Sequence, residues 1–371
     1  MRLLHTADLH LGRALRGASR LDDQAAAMDA LVLAAQETRP DLLVVAGDVF
    51  DAFTPPRAAL DLLDDTLARI VRGLGIRVLL LAGNHDDPHR LGFGARLFDA
   101  GGLHVAARPG VHRIPVGDGE VVALPWADPW AVQAALDLPE PPAGHDAAVA
   151  ALLAGLEAPR GPRALAAHLF VQGGRPSGTE SERPTAVGTL ELVRPETLAA
   201  AGAHAVLLGH LHAPHAPCPG AWYAGSPLPL SFDEAGQRKS LALLEIAQDG
   251  TVRRELLPLD AGRPVRRIRG ALADLLAQAA ADPARDAWTL ADLTDAVRPL
   301  GAFERLQEAY PHLLGLGTDP AAETAAPGVL APAPHLDPMT LFTRFHEAHG
   351  GGPLPESRRA RVAAALAGEE G

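Results

Sequence analysis

The sequence predicts an α/β fold, and three observations carry that prediction. The first 81 residues alternate short apolar runs with stretches of helical spacing, one of the runs is almost continuously apolar, and each run ends in a polar cluster. A strand covered on both faces has no reason to alternate, so a continuous apolar run marks the interior of a covered sheet. In open α/β sheets, ligands bind at the carboxyl ends of the strands, and the polar clusters fall at those ends.

The elements follow in order. Residues 2–7 read as a strand that runs straight into Asp8 and His10. Leu21, Met28, Leu31, Val32 and Ala35 then keep helical spacing until Arg39-Pro40 ends it. Asp41 to Ala46 is the continuous apolar strand, and a helix over Arg57–Val71 and a strand over Arg77–Leu81 complete a β-α-β-α-β opening. Beyond Trp126 the chain turns rich in proline and alanine, with a helix expected over Ala147–Leu156. Strands over Arg163–Ala167 and His204–Leu208 lead into His168 and into Gly209-His210-Leu211-His212. Trp222–Ala224 and Leu241–Ile246 read as later strands of antiparallel type.

The pattern changes near Asp260. A main domain over 1–260 is expected, then a small α+β domain over 261–315 with two helices and a strand near Trp288–Leu293. Residues 316–338, rich in Ala, Pro and Thr, read as a linker. Over 339–371, Met339–Ala348 and Glu356–Ala367 predict two short amphipathic helices, separated by Gly350-Gly351-Gly352-Pro353.

Bulk properties narrow the function classes. The 371 residues exceed one average core, and 47% of them are hydrophobic, which predicts a sizeable interior. A net charge of −12 excludes a globally basic nucleic-acid binder. Cys218 is the single cysteine, so no intrachain disulfide is expected, which fits a reducing compartment. No apolar stretch of 18 residues occurs and charged residues come early, so neither a membrane span nor a signal peptide is expected, and the chain reads as cytoplasmic.

The chemistry lies in five strand-end clusters: Asp8-Leu9-His10, Gly47-Asp48, Gly83-Asn84-His85-Asp86, His168, and Gly209-His210-Leu211-His212. A single Asp-x-His would mean little, because such pairs usually sit in ordinary polar turns; five clusters ending five strands are another matter. Mixed carboxylate and imidazole donors suit Mn2+, Fe2+ or Zn2+. Asp8, His10, Asp48, Asn84, His168, His210 and His212 are too many ligands for one tetrahedral ion but fit a pair sharing a carboxylate. Such pairs lie about 3.5–4 Å apart and clamp a phosphoryl displacement. Glycine before Asp48, Asn84 and His210 would permit sharp turns and close backbone approach.

This conjunction resembles the calcineurin-like metallophosphoesterase superfamily, whose pattern runs D-x-H, G-D, G-N-H-D/E, H and G-H-x-H. The resemblance extends to the SbcD family of nuclease subunits through MRLLHTADLHLGR at the start, VAGDVFD at 45–51, LAGNHD at 81–86, LGHLH at 208–212 and, most distinctively, GSPLPLSFDEAGQRKS at 225–240. It implies a four-layer αββα sandwich of two β-sheets flanked by helices, with the small domain as a cap and the helical pair at the C-terminus. It implies one ion on Asp8, His10 and His212, another on Asn84, His168 and His210, and Asp48 bridging both, with a shared water activated as nucleophile. Mn2+ is the expected metal, with Mg2+ the second choice. His85 would donate a proton to the leaving oxygen or stabilise charge on the phosphoryl group, with Asp86 either orienting it or capping the next helix. Where some relatives carry a further histidine after G-D, this chain has Asp51.

The resemblance also implies a DNA exonuclease and endonuclease acting on ends and hairpins in repair and recombination. The implied partners are an SbcC-type ATPase and a second copy in a homodimer; the C-terminal helices, with little core of their own, would dock on a partner helix or else pack against this chain's own domain. Arg13, Arg16, Arg20, Arg175 and Arg183 are candidate phosphate contacts. The competing readings are a small-molecule phosphodiesterase of the same superfamily, which leaves the 225–240 segment and helical tail without a purpose, and a non-catalytic scaffold, which leaves the complete ligand set without one.

Overall fold

A computed structural model describes residues 1–176, 191–297, 299–318, 339, 340, 342, 343 and 354–366. Two six-stranded sheets dominate the compact unit Met1–Gly317. Four parallel strands open the first: β1 (Arg2–Thr6), β2 (Leu42–Val45), β3 (Val78–Leu81) and β4 (Leu103–Ala106). The second begins with β5 (His112–Val116), β6 (Gly119–Leu124) and β7 (Arg163–His168), and continues with β8 (Ala205–Gly209), β9 (His215–Cys218) and β10 (Ala221–Tyr223). Its order is β9-β10-β8-β7-β6-β5. The chain then returns to the first sheet, where β11 (Ser240–Ile246) pairs antiparallel with β1 and β12 (Val252–Pro258) closes the edge.

Alternation along each strand makes the layers. Leu3, Val44, Leu79 and Leu81 point between the sheets and meet Val121, Ala123, Ala164, Ala166 and Leu207. Their neighbours Leu4, Leu43, Val45 and Leu80 point outward, onto Met28, Leu31 and Ala35 of helix Leu21–Thr38. On the far side Val122, Leu124, Leu165 and Leu208 meet Val132, Val149 and Leu152. Both faces of each sheet are therefore covered, which is the α-β-β-α sandwich and the reason the central strands read as unbroken apolar runs.

Several details differ from the sequence reading. The antiparallel strand expected over Trp222–Ala224 spans Ala221–Tyr223 and lies parallel to β8, antiparallel only to β9. The expected helix at Ala147–Leu156 spans His145–Leu153. A second helix, Pro129–Leu136, is capped by Asp128 with proline in its first turn, a pattern hidden by the proline content of the region. β4, β5 and β6 went unread because they are short and interrupted by charge and by Pro115.

Among the described residues, the region after Asp260 holds three strands rather than one: Val265–Gly270, Trp288–Leu293 and Leu313–Thr318. Arginines at alternate positions disguised the first. The glycines of LLGLGT placed a linker at Leu316, inside the third strand. Helices Leu272–Ala279 and Ala302–Ala309 cover this sheet around Leu275, Leu306 and Tyr310. Asp23 ties this subdomain to helix Leu21–Thr38, accepting from Arg263 N at 2.7 Å and Trp288 Nε1 at 2.6 Å.

Of the expected C-terminal pair, Glu356–Leu366 is helical, and so are residues 339, 340, 342 and 343. Most of the 316–338 segment, the rest of Met339–Ala348 and the Gly350–Pro353 break lie outside the described residues. No helix among the described residues is long and apolar enough to cross a membrane.

Candidate metal centre

The carboxyl ends of β1, β2, β3, β7 and β8 converge, and all seven candidate ligands meet there. Asp8, His10 and His212 are buried, with one donor atom from each inside a 4.8 Å cluster; Asp8, Asp48 and His168 form another. Asn84 Oδ1 lies 3.0 Å from both His168 Nε2 and His210 Nδ1. Asp48 Oδ2 stands between the groups, 3.4 Å from His10 Nε2 and 3.5 Å from His168 Nε2.

The backbone is strained at this convergence. Asp8, His10, Asp48 and His210 all have positive φ, a conformation that side-chain-bearing residues rarely adopt and that clusters at functional sites. The expected glycine role needs correction here. Only Gly47 of the three takes the left-handed turn; Gly83 and Gly209 are needed for close approach, since a Cβ would sit 2.1 Å from Asp48 Oδ1 and 1.9 Å from Ala46 O respectively.

The donor set fits a divalent cation. Asp8 Oδ2 and His10 Nε2 are buried without hydrogen-bond partners, a costly arrangement unless a cation satisfies them. His168 Nδ1 faces Ala46 O at 2.9 Å, so Nδ1–H donates there and Nε2 turns toward Asn84 Oδ1. Two acceptors at that distance need positive charge between them. Without an ion, a proton serves: burial pushes the His168 ring down, but Asp48 and Asp8 outweigh it and raise it to about 9. Burial would raise Asp48, yet His168, His10 and His85 hold it well below the usual carboxylate range. Burial raises Asp8.

His85 has its N–H on Asp48 Oδ1 at 2.9 Å and its ring Nδ1 2.9 Å from Asp51 O, which leaves Nε2 as the nitrogen available to a substrate. Asp86 has neither expected position. Its oxygens accept from the amides of Gly83, Val49 and Phe50, which cinches the loop carrying Asp48. Burial and then Asp48 push it up to about 7. Asp87 caps the following helix, accepting from His89 N and Arg90 N.

Sequence reasoning missed several residues here. Asp51, noted only for its missing imidazole, has its carboxylate 3.1 Å from His10 Nδ1 and its carbonyl on His85. Glu234 lies 2.9 Å from His212 Nδ1. Trp126 stacks on the His210 ring at 5.5 Å. Usable signals existed for Asp51, through its spacing from Asp48, and for Glu234, through its place in the distinctive 225–240 segment. Of the candidate phosphate contacts, Arg20 is buried and bound to Asp23 and the Pro229 carbonyl, while Arg13 pairs with Asp51. Arg16 and Arg175 are exposed, and Arg183 lies outside the described residues.

Residues 1–214 match the calcineurin-like phosphoesterase family, and residues 261–350 match the type 5 capsule protein repressor C-terminal domain. The chain is 30% identical over 387 residues to the SbcD component of the SbcCD nuclease of Bacillus subtilis (strain 168), covering 99% of this chain and 98% of that protein. A solved dimetal phosphatase from Danio rerio aligns with a TM-score of 0.40 at 15% identity, over 70% of this chain and 99% of that one.

Proposed function

The chain belongs to the calcineurin-like phosphoesterase family, in its SbcD-type branch, and from that premise we propose that it is the nuclease subunit of an SbcCD-type complex, hydrolysing DNA phosphodiester bonds with two divalent ions. The observation that carries the reading is the convergence of seven donors at five strand ends, with Asp48 between the two groups. Asp8, His10 and His212 would hold one ion, Asn84, His168 and His210 the other, and Asp48 both. Mn2+, with Mg2+ the second choice, follows from the family resemblance, and the mixture of imidazole and carboxylate is compatible with it. When bound, such a pair supplies Lewis-acid charge to a phosphoryl group and lowers the pKa of water. The chain's own part is orientation and proton transfer. Ala46 O, Asp51 and Glu234 fix ligand rings, and His85 Nε2 gives a proton to the leaving oxygen.

DNA is the proposed substrate because the likeness to the Bacillus SbcD component spans the whole chain, well beyond the phosphoesterase region. Exposed Arg16 and Arg175 supply local phosphate contacts, while the net charge of −12 fits a subunit that draws DNA affinity from an ATPase partner. A digestion assay checks this: linear DNA and a small phosphodiester dye, with Mn2+ or Mg2+, with and without the ATPase subunit and ATP. DNA cutting in Mn2+ is expected. Fast dye hydrolysis with intact DNA, even with partner and ATP, would favour the small-molecule reading. A chain ended after Thr318 should still cut but no longer bind the ATPase; retained binding would move the docking site into 1–318.

The homodimer has a candidate face. Phe53, Leu60, Phe93, Leu97 and Phe98 are exposed, and Phe50, Phe53, Leu60, Leu91 and Phe93 line a groove of about 450 Å³. A second copy would cover this apolar surface. Phe93→Glu should convert a dimer to a monomer by light scattering, with metal content unchanged; an unchanged mass places the interface elsewhere.

A further inference from the structure

Residues 225–240 lie outside the metal motifs, yet they build a buried polar network against one of them. Glu234 is completely buried. One of its oxygens is 2.9 Å from His212 Nδ1, and the other accepts from Lys239 Nζ at 2.7 Å and Leu230 N at 3.1 Å. Lys239, the chain's sole lysine, also donates to His212 O, Ser226 Oγ and Gln237 Oε1, each at 2.9 Å. The same segment reaches the neighbouring ligand. Arg13 donates to Leu230 O at 3.4 Å and to Asp51 Oδ1 at 2.9 Å, and that Asp51 oxygen faces His10 Nδ1.

His10 and His212 are thus both backed by a carboxylate at Nδ1, which fixes the Nδ1–H tautomer and leaves Nε2 for the pocket. The other two rings are backed differently. His168 Nδ1 faces the Ala46 carbonyl at 2.9 Å, with the Asp8 carboxylate farther off at 3.9 Å, and His210 Nδ1 points at Asn84, its proposed co-ligand. A carboxylate behind an imidazole raises its basicity as a ligand more than a neutral carbonyl does.

We propose that Glu234, seated by Lys239, is a positioning residue for His212, and that it makes the Asp8–His10–His212 pocket the tighter of the two ion sites. This rests on the two-ion reading above. A buried Glu–Lys pair can often be replaced by uncharged residues without loss of fold. A merely structural pair therefore predicts no effect on ions when both charges are removed together.

The test is a Mn2+ titration followed by the EPR signal of the free ion, alongside thermal melting. The full-length wild type should take up two ions of unequal affinity. Glu234→Gln should weaken the tighter class roughly 10–100-fold and leave the weaker one unchanged. Since Glu234→Gln strands the Lys239 charge, the double variant Glu234→Gln/Lys239→Met, which carries neither charge, should show the same selective loss in a folded chain. Asp51→Asn, at a half-buried position, should weaken the same class. Wild-type affinity in these variants, loss from the weaker class, or two equal sites in the wild type would overturn the inference and leave the two-ion reading standing. A wild type that takes up no ion overturns both.

Discussion

Replacing His85 with alanine is expected to cut turnover on DNA by roughly 10²–10⁴-fold, the usual share of a positioned proton donor, while both ions stay bound. The geometry separates these effects. His85 reaches the centre through its backbone, whose N–H holds Asp48 Oδ1, and that bond survives removal of the ring. The ring is aimed by Asp51 O at Nδ1 and packs edge-on against His10, with centroids 4.8 Å apart. The ring's own hydrogen bond goes to a backbone carbonyl rather than to one of the seven candidate ligands. Rate measurements paired with metal analysis check the point: unchanged turnover would show that His85 is not the acid, and lost metal would show that it is a ligand. Asp86→Ala should behave in the opposite way. It frees three backbone amides under the Asp48 loop, so metal retention should suffer before proton transfer does.

The difference between these neighbouring residues shows where sequence reading runs out. Asp8, Asp48, Asn84 and His210 were legible because each follows an apolar strand in a fixed local pattern, and strand direction alone brings such ends together. What stands behind them is long-range. Glu234 meets His212 across 22 positions, and Arg13 meets Leu230 across 217. No local spacing encodes either contact. Asp86 completes the Gly-Asn-His-Asp pattern and Asp87 follows it, yet only the fold decides that the first faces the Asp48 loop and the second caps a helix. Arg20 looked like a phosphate contact because arginine after a ligand motif usually faces solvent, but helix Leu21–Thr38 carries it inward to Asp23. The same limit explains the fold. The continuous strands of the sandwich interior were plain, whereas the strand VRRIRG beyond Asp260 was not, because alternate arginines on its exposed face broke the apolar signal.

Asp48→Ala is expected to lose both ions, and Asp48→Asn, which keeps the shape and the bond to His85 N–H, is expected to do the same. The loss for each ion should exceed the roughly 10–100-fold that removing an outer partner costs, because Asp48 serves His10 on one side and His168 on the other. Metal analysis finding two ions per chain would contradict the bridging role; finding one would confine Asp48 to a single pocket. The ion-free chain gives an independent reading. His168 sits at about 9, above its ordinary 6.5, with Asp48 the chief carboxylate raising it. A raised folded value means that the pairing contributes stability in full below about pH 6.5 and loses it as pH climbs through about 9. Chelator-treated wild type should therefore melt lower at pH 9.5 than at pH 6, and Asp48→Asn should lose much of that difference. If the difference persists in the variant, Asp8 is the counter-charge that matters, and the negative charge of the centre lies nearer β1 than β2.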